Sequence, residues 1–288
     1  MFEGAYTAIV TPFTRDGQVD YARFRDLIEF QIAGGVDGLV PVGTTGESPT
    51  LDFKEHEKVI EVAIETARRR VKIIAGTGAN STAEALELTR HALHAGADGT
   101  LQVTPYYNKP NSLGLVRHFS AVADLGLPVV LYNVPGRSGK EIPIDVVVEM
   151  AKHPKVVAIK EAGGSADRVS QILTRCQLEV LSGDDGLTLP MMIIGAVGVI
   201  SVASNVAPRP VADLVHHALA GRWNEARALH LQYYRLFSDL FLDTNPIPVK
   251  TALALMGRME EAFRLPMCEM SEPLKKKLEA TLRDVQLI

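Results

Sequence analysis

One lysine stands out among the residues able to do covalent chemistry. The run Val156-Val157-Ala158-Ile159-Lys160 has the composition of a strand, and strand alternation places Val156, Ala158 and Lys160 on one face. An amine among apolar neighbours favours its neutral form, which is what a nucleophile that forms a Schiff base with a carbonyl compound needs. The same residue also reads as a strand-end cation paired with Glu161. Spacing alone does not choose between the two.

Three other segments carry polar groups at the ends of apolar runs. Tyr132 closes the run PVVLYN, where a phenol beside an amine can relay protons to and from a carbonyl substrate. Two residues past a proline, Arg137 is suited to a bidentate clamp on a carboxylate. The turn Gly43-Thr44-Thr45-Gly46-Glu47-Ser48 offers backbone N–H groups and two hydroxyls, a small anion cradle without the spacing or the lysine of a phosphate loop. Its second reading is a helix cap with Ser48 as the N-cap residue. Tyr106 and Tyr107 are adjacent, so on an extended segment one can serve a cavity and the other an interface. No histidine ends any of the apolar runs, which argues against a histidine-rich metal site.

The elements that must position these groups alternate along the chain. Eight short apolar runs are strand candidates, around TAIVTP, VDGLVPVG, VKIIAGTG, ADGTLQVTP, PVVLYNVP, VVAIKEA, LEVLSGDD and AVGVISVAS. Amphipathic stretches such as Tyr21–Ala33, Phe53–Arg69 and Ala83–Ala95 separate them. Near-continuous apolar strands alternating with helices predict an α/β fold, a closed (β/α)8 TIM barrel. An open doubly wound sheet would need a glycine fingerprint after the first strand, and FTRDGQVD is not one. The reactive groups then sit at the strands' C-terminal ends. From about Asn224 the alternation stops and helical patterns follow, including one near Leu274–Val285, so residues 1–223 are expected to form the barrel and 224–288 a C-terminal helical appendage.

The 288 residues fit one such barrel with a small addition, and 47% hydrophobic with 22% charged residues is the composition of an ordinary globular protein. A net charge of −4 argues against a nucleic-acid binder. Cys176 and Cys268 fit no metal spacing and read as buried or reduced thiols. The start MFEGAYTAIVTPF lacks the features of a signal peptide. Gly186–Pro208 carries no charge, yet its prolines, glycines and polar residues favour a short buried helix followed by a buried strand over a membrane span. A cytoplasmic protein is expected.

Taken in order, GTTGES, GTGAN, TPYYNKP, YNVPGR, IKEA and GVISV resemble the 4-hydroxy-tetrahydrodipicolinate synthase (dihydrodipicolinate synthase) family. This family belongs to the superfamily of pyruvate-dependent class I aldolases and N-acetylneuraminate lyases, and the similarity runs from TAIVTPF through NPIPVK to RLPM. The resemblance implies a lyase of lysine and diaminopimelate biosynthesis, in which Lys160 forms an imine with pyruvate and the enamine adds to L-aspartate 4-semialdehyde. It needs no metal or organic cofactor, because the imine is the electron sink. Tyr132 matches the proton donor and acceptor, and Thr44 and Tyr107 complete a hydroxyl relay in which the tyrosine comes from a neighbouring subunit. Thr45 and the backbone at Ile200 match pyruvate-binding positions, and Arg137 matches the receiver of the semialdehyde carboxylate. A homotetramer built as a dimer of dimers is implied. So is an L-lysine site at the tight-dimer interface, on positions matching Ser48, Pro49, Phe53, His56, Asn80, Glu84 and Tyr106, with Phe53 departing from the histidine common in sensitive enzymes. The alternative is a sister aldolase acting on N-acetylneuraminate or a 2-keto-3-deoxy sugar acid. Retention of Thr44, Thr45 and Arg137 speaks against it.

Overall fold

In the computed structural model, which describes residues 1–288, eight parallel strands close on themselves in chain order. They are β1 (Gly4–Thr7), β2 (Gly38–Leu39), β3 (Lys72–Gly76), β4 (Gly99–Val103), β5 (Val129–Asn133), β6 (Val156–Glu161), β7 (Glu179–Ser182) and β8 (Gly198–Ser201). The ring closes where β8 pairs with β1, Gly4 opposite Gly198 and Thr7 opposite Ser201. The backbones come so near there that a Cβ on Gly198 would lie 1.9 Å from the Gly4 carbonyl oxygen. Only glycine fits at that seam.

Helices α1 (Tyr21–Ala33), α2 (Phe53–Ala67), α3 (Thr82–Ala95), α4 (Ser112–Ala123), α5 (Pro135–Ser138) and α6 (Ile144–Met150) come between the earlier strands. Then follow α7 (Asp167–Leu173), α8 (Thr188–Ile194), α9 (Pro208–Leu219), α10 (Trp223–Asp239), α11 (Ile247–Leu255) and α12 (Glu272–Asp284). Strand alternation sorts the apolar side chains into two layers. Ile73, Ala75, Leu131, Ile159, Val180 and Val199 join the core between strands and helices. Tyr6, Ile74, Leu101, Val130, Ala158, Leu181 and Ile200 fill the barrel interior, so the barrel is a packed core and not a pore.

The expected barrel with its helical C-terminal segment is the observed fold. Local differences have local causes. The first strand lies earlier than TAIVTP and ends at Thr7. The helix expected over Phe53–Arg69 stops at Ala67, because Arg68 turns left-handed, with φ 50°, and caps it. Ser48 is not a helix N-cap. It opens a single 3-10 turn, Ser48–Thr50, and α2 is capped by Asp52, which accepts from the Glu55 amide at 2.8 Å while the Glu55 carboxylate accepts from the Asp52 amide. Such a reciprocal cap is worth about 1 kcal/mol.

Val156 does not share a face with Ala158 and Lys160. The β5–β6 register slips between Val129 and Val130, whose partners are Val156 and Ala158. This bulge sends Val156 to the outer core and packs Val157 against the inner one. The charge-free segment is the short helix α8 followed by the buried strand β8, and no helix is long and apolar enough to cross a membrane. Both cysteines are free, Cys176 half-buried and Cys268 exposed. Of the expected buried or reduced thiols, both are reduced and neither is fully buried.

Candidate active site

The site assembles where β5 and β6 lie side by side. Their register puts Tyr132 opposite Lys160, both side chains point into the barrel, and both are buried. The Lys160 ammonium nitrogen lies 4.3 Å from the centroid of the Tyr132 ring. Glu161 points the other way. Its carboxylate accepts from Asn133 Nδ2 at 2.8 Å, from the Gly163 amide at 2.7 Å and from Arg168 Nε at 3.0 Å. The neighbouring carboxylate thus serves the outer layer, and Lys160 is left without an ion pair. Gly183, at the end of β7, makes room for the amine's arm, since a Cβ there would sit 3.0 Å from Lys160 Cε and 2.6 Å from Ala162 Cβ.

Above these residues opens a cleft of about 160 Å3, lined among others by Thr44, Ser48, Tyr106, Tyr132, Val134 and Arg137. The turn after β2 brings Thr44 to its wall and buries Thr45 behind it. Neither the Thr44 nor the Thr45 amide donates to a carbonyl of the chain, so two N–H groups remain for an anion. Arg137, exposed at the rim on α5, donates from Nη2 to the main-chain oxygen of Asn245 at 3.2 Å. The same asparagine's Nδ2 donates to Thr45 Oγ1 at 3.0 Å. At the end of β8, Ile200 packs in the inner core. The turn beyond it is held by the fully buried Asp185, which accepts from Ser201 Oγ and from the amides of Val202 and Ala203 at 3.0 and 2.9 Å. Burial pushes the Asp185 carboxyl above its usual range, against the pull of these donors.

Of the adjacent tyrosines, Tyr106 lines this cleft. Tyr107 has a left-handed backbone, φ 71°, and stands 90% exposed. One chain therefore brings Thr44 and Tyr132 together and leaves Tyr107 outside the relay expected of the three. The residues singled out for a lysine ligand lie close by. Ser48, Pro49 and Tyr106 share the cleft, Asn80 accepts on its main-chain oxygen from Asn108 Nδ2 at 2.8 Å, and Glu84 stands in the first turn of α3. Burial and the Glu84 charge raise the Tyr106 phenol. Burial also drives His56 down to about 4, so its ring is neutral near pH 7.

Spacing missed two residues. Asn245 touches two of the site's residues, and Lys250 on α11 reaches Glu47, just past the threonine turn. The Lys250 ammonium bonds Glu47 Oε1 and lies 4.1 and 5.2 Å from the ring centroids of Phe13 and Phe263. Burial pushes the Glu47 carboxyl up and the Lys250 amine down, and their mutual attraction opposes both shifts. The only sequence signal for Asn245 and Lys250 was their place in the NPIPVK segment.

A (β/α)8 barrel whose interior lysine sits unpaired beside a tyrosine, beneath a cleft with a threonine turn and an arginine, defines the class of imine-forming, aldolase-type barrel enzymes. The match to the Dihydrodipicolinate synthetase family spans residues 1–285, and the chain belongs to that family. It is 54% identical to the 4-hydroxy-tetrahydrodipicolinate synthase of Geobacter sulfurreducens, over 100% of both chains. The crystal structure of dihydrodipicolinate synthase from Aquifex aeolicus superposes with a TM-score of 0.97 at 50% identity, covering 99% of each chain. The enzyme from Cyanidioschyzon merolae, whose structure has lysine bound, superposes with a TM-score of 0.96 at 38% identity, covering 100% of this chain and 99% of that one.

Proposed function

We propose that this chain condenses pyruvate with L-aspartate 4-semialdehyde to 4-hydroxy-tetrahydrodipicolinate, in lysine and diaminopimelate biosynthesis. The observation that carries the reading is the Lys160 amine, buried without a counter-ion, with its nitrogen 4.3 Å from the Tyr132 ring centroid. The amine adds to the ketone carbon of pyruvate, and loss of water gives the imine. A methyl proton then leaves and the electron pair is held as an enamine, whose carbon bonds to the aldehyde carbon of the second substrate. The amino group of that substrate attacks the former imine carbon, closes the ring and expels Lys160. The net products are the cyclic acid and one water.

In this reading Tyr132 and Thr44 move the protons, supported by their shared place on the cleft wall. The turn at Thr45 and the backbone at Ile200 hold the pyruvate carboxylate, and Arg137 takes the carboxylate of the semialdehyde. Tyr107, exposed and outside its own cleft, serves a partner's relay in a homotetramer built as a dimer of dimers. Ser48, His56, Asn80, Glu84 and Tyr106 would receive L-lysine as an inhibitor. Barrel residues 1–223 and helical residues 224–288 act as one catalytic unit, placed in the cytoplasm. A sister aldolase acting on sugar acids is not favoured, since the curated relatives sharing half or more of the sequence bear the synthase name.

The test is reductive trapping. Borohydride added with saturating pyruvate should fix a pyruvyl group on Lys160, read by peptide mass spectrometry, and an unmodified Lys160 would refute the mechanism.

A further inference from the structure

We propose that Asn245 is a positioning residue that sets the direction of the Thr45 hydroxyl and parks Arg137, so that one residue of the C-terminal segment organises both carboxylate subsites. The inference deepens the synthase reading and rests on it. Asn245 is 5% exposed, and its two contacts diverge: Nδ2 donates to Thr45 Oγ1 at 3.0 Å and its main-chain oxygen accepts from Arg137 Nη2 at 3.2 Å.

The chemistry of the side-chain bond has a direction. An amide nitrogen only donates, so Thr45 Oγ1 spends a lone pair on Asn245 and keeps its proton, for which the chain supplies no acceptor. The amide's other end, Oδ1, is buried without a donor. Turning the amide over would instead leave the NH2 group orphaned, and buried donors without partners are rarer than under-satisfied carbonyl oxygens. The observed orientation is therefore the better one, and it leaves the Thr45 proton free to donate to a substrate carboxylate beside the two unpaired amides of the turn. The Arg137 contact runs through the main chain and survives a change of side chain.

Asn245→Asp separates these roles, because it keeps the shape and turns the donor into an acceptor. The Thr45 proton is then drawn to Asp, and a negative charge sits behind the pyruvate carboxylate. The expected result is a rise of about tenfold or more in the pyruvate KM, the scale of losing a hydrogen bond to a charged group. The kcat and the KM for the semialdehyde should stay within about threefold, and borohydride trapping should reach completion only at higher pyruvate. On a Thr45→Val background, which has no hydroxyl to direct, Asn245→Asp should add little to the pyruvate KM beyond the effect of its charge. Asn245→Ala, which removes the donor without adding charge, isolates the hydroxyl term and should be silent on Thr45→Val.

The inference is overturned if Asn245→Ala raises the pyruvate KM equally on both backgrounds. It is also overturned if both Asn245 variants lower kcat or thermal stability with the pyruvate KM unchanged, the mark of a merely structural role. If wild-type Lys160 is not trapped at all, the synthase reading has failed. If wild type is trapped and the Asn245 variants keep the wild-type pyruvate dependence, only this inference has failed.

Discussion

Lys250 and Glu47 are 203 residues apart in sequence, yet the ammonium of the one bonds the carboxylate of the other, and neither side chain is more than 2% exposed. Glu47 adopts a left-handed backbone, φ 56°, directly after the threonine turn, so the pair ties helix α11 to the loop whose Thr44 lines the cleft. A buried ion pair is weak evidence for stability as such, because desolvation offsets most of the attraction. Breaking it from one side is costly.

Lys250→Met should accordingly destabilise the protein by about 3–5 kcal/mol, because it strands a buried carboxylate. Lys250→Met combined with Glu47→Gln should recover much of that loss. Thermal denaturation of the two variants checks it. A single variant as stable as wild type would contradict the account.

Arg137→Ala should leave pyruvate trapping at Lys160 intact and lower kcat/KM for the semialdehyde by about 10–100-fold, the scale of one lost charge-assisted contact of ~1.5–3 kcal/mol. Steady-state kinetics with each substrate varied in turn decides it. Equal damage to trapping would remove Arg137 from the second-substrate role.

Tyr107→Phe should reduce turnover while the fold and the pyruvate imine persist, and activity should fall as the protein is diluted into monomers. Sedimentation with parallel assay measures this. Full activity in a verified monomer would show that no tyrosine from a partner is needed.

Lysine should inhibit weakly to moderately and only in part, since the Phe53 side chain can cover an aliphatic stem but supplies no hydrogen bond. Glu84→Ala should abolish the effect and spare imine formation, because Glu84 is the carboxylate available to a ligand ammonium. Titration calorimetry reads binding directly. No heat and unchanged activity at millimolar lysine would dismiss the site.

His56 gives stability a pH dependence with a definite sign. Its folded pKa, about 4, lies below the ordinary 6.5, so between these values the unfolded chain binds more protons. The contribution is fully present above pH 6.5 and is lost as pH falls toward 4, reaching about 3 kcal/mol by linkage. The stability gap between wild type and His56→Gln should narrow over that window. Chemical denaturation at several pH values tests it, and a constant gap would count against a neutral buried ring.

Much of the fold was legible because parallel strands under helices need apolar runs at regular intervals, and eight such runs are present. The placement of Lys160 was legible from alternation as far as Ala158. It failed at Val156, where the slip in register against β5 breaks the period. Glu161 could not be separated from Lys160 by spacing, because only the fold shows that Asn133 and Arg168 claim its carboxylate. The largest gap lay in Asn245 and Lys250. Their partners, Thr45 and Glu47, are brought near by closure of the whole chain, and no local period encodes a contact across 200 residues.

The joining of β1 to β8, and of the threonine turn to Asn245 and Lys250, bears on how the protein is made. Synthesis runs from the N-terminus, so Thr45 leaves the ribosome long before its partners exist. The strand carrying Lys160 can be complete while the seam at Gly198 is still open and the threonine turn still lacks its brace. A nascent chain stalled before residue 245 would hold Lys160 and Tyr132, yet would lack the side chains that meet Thr45 and Glu47. The contacts that brace the threonine turn are therefore among the last parts of the site to be made.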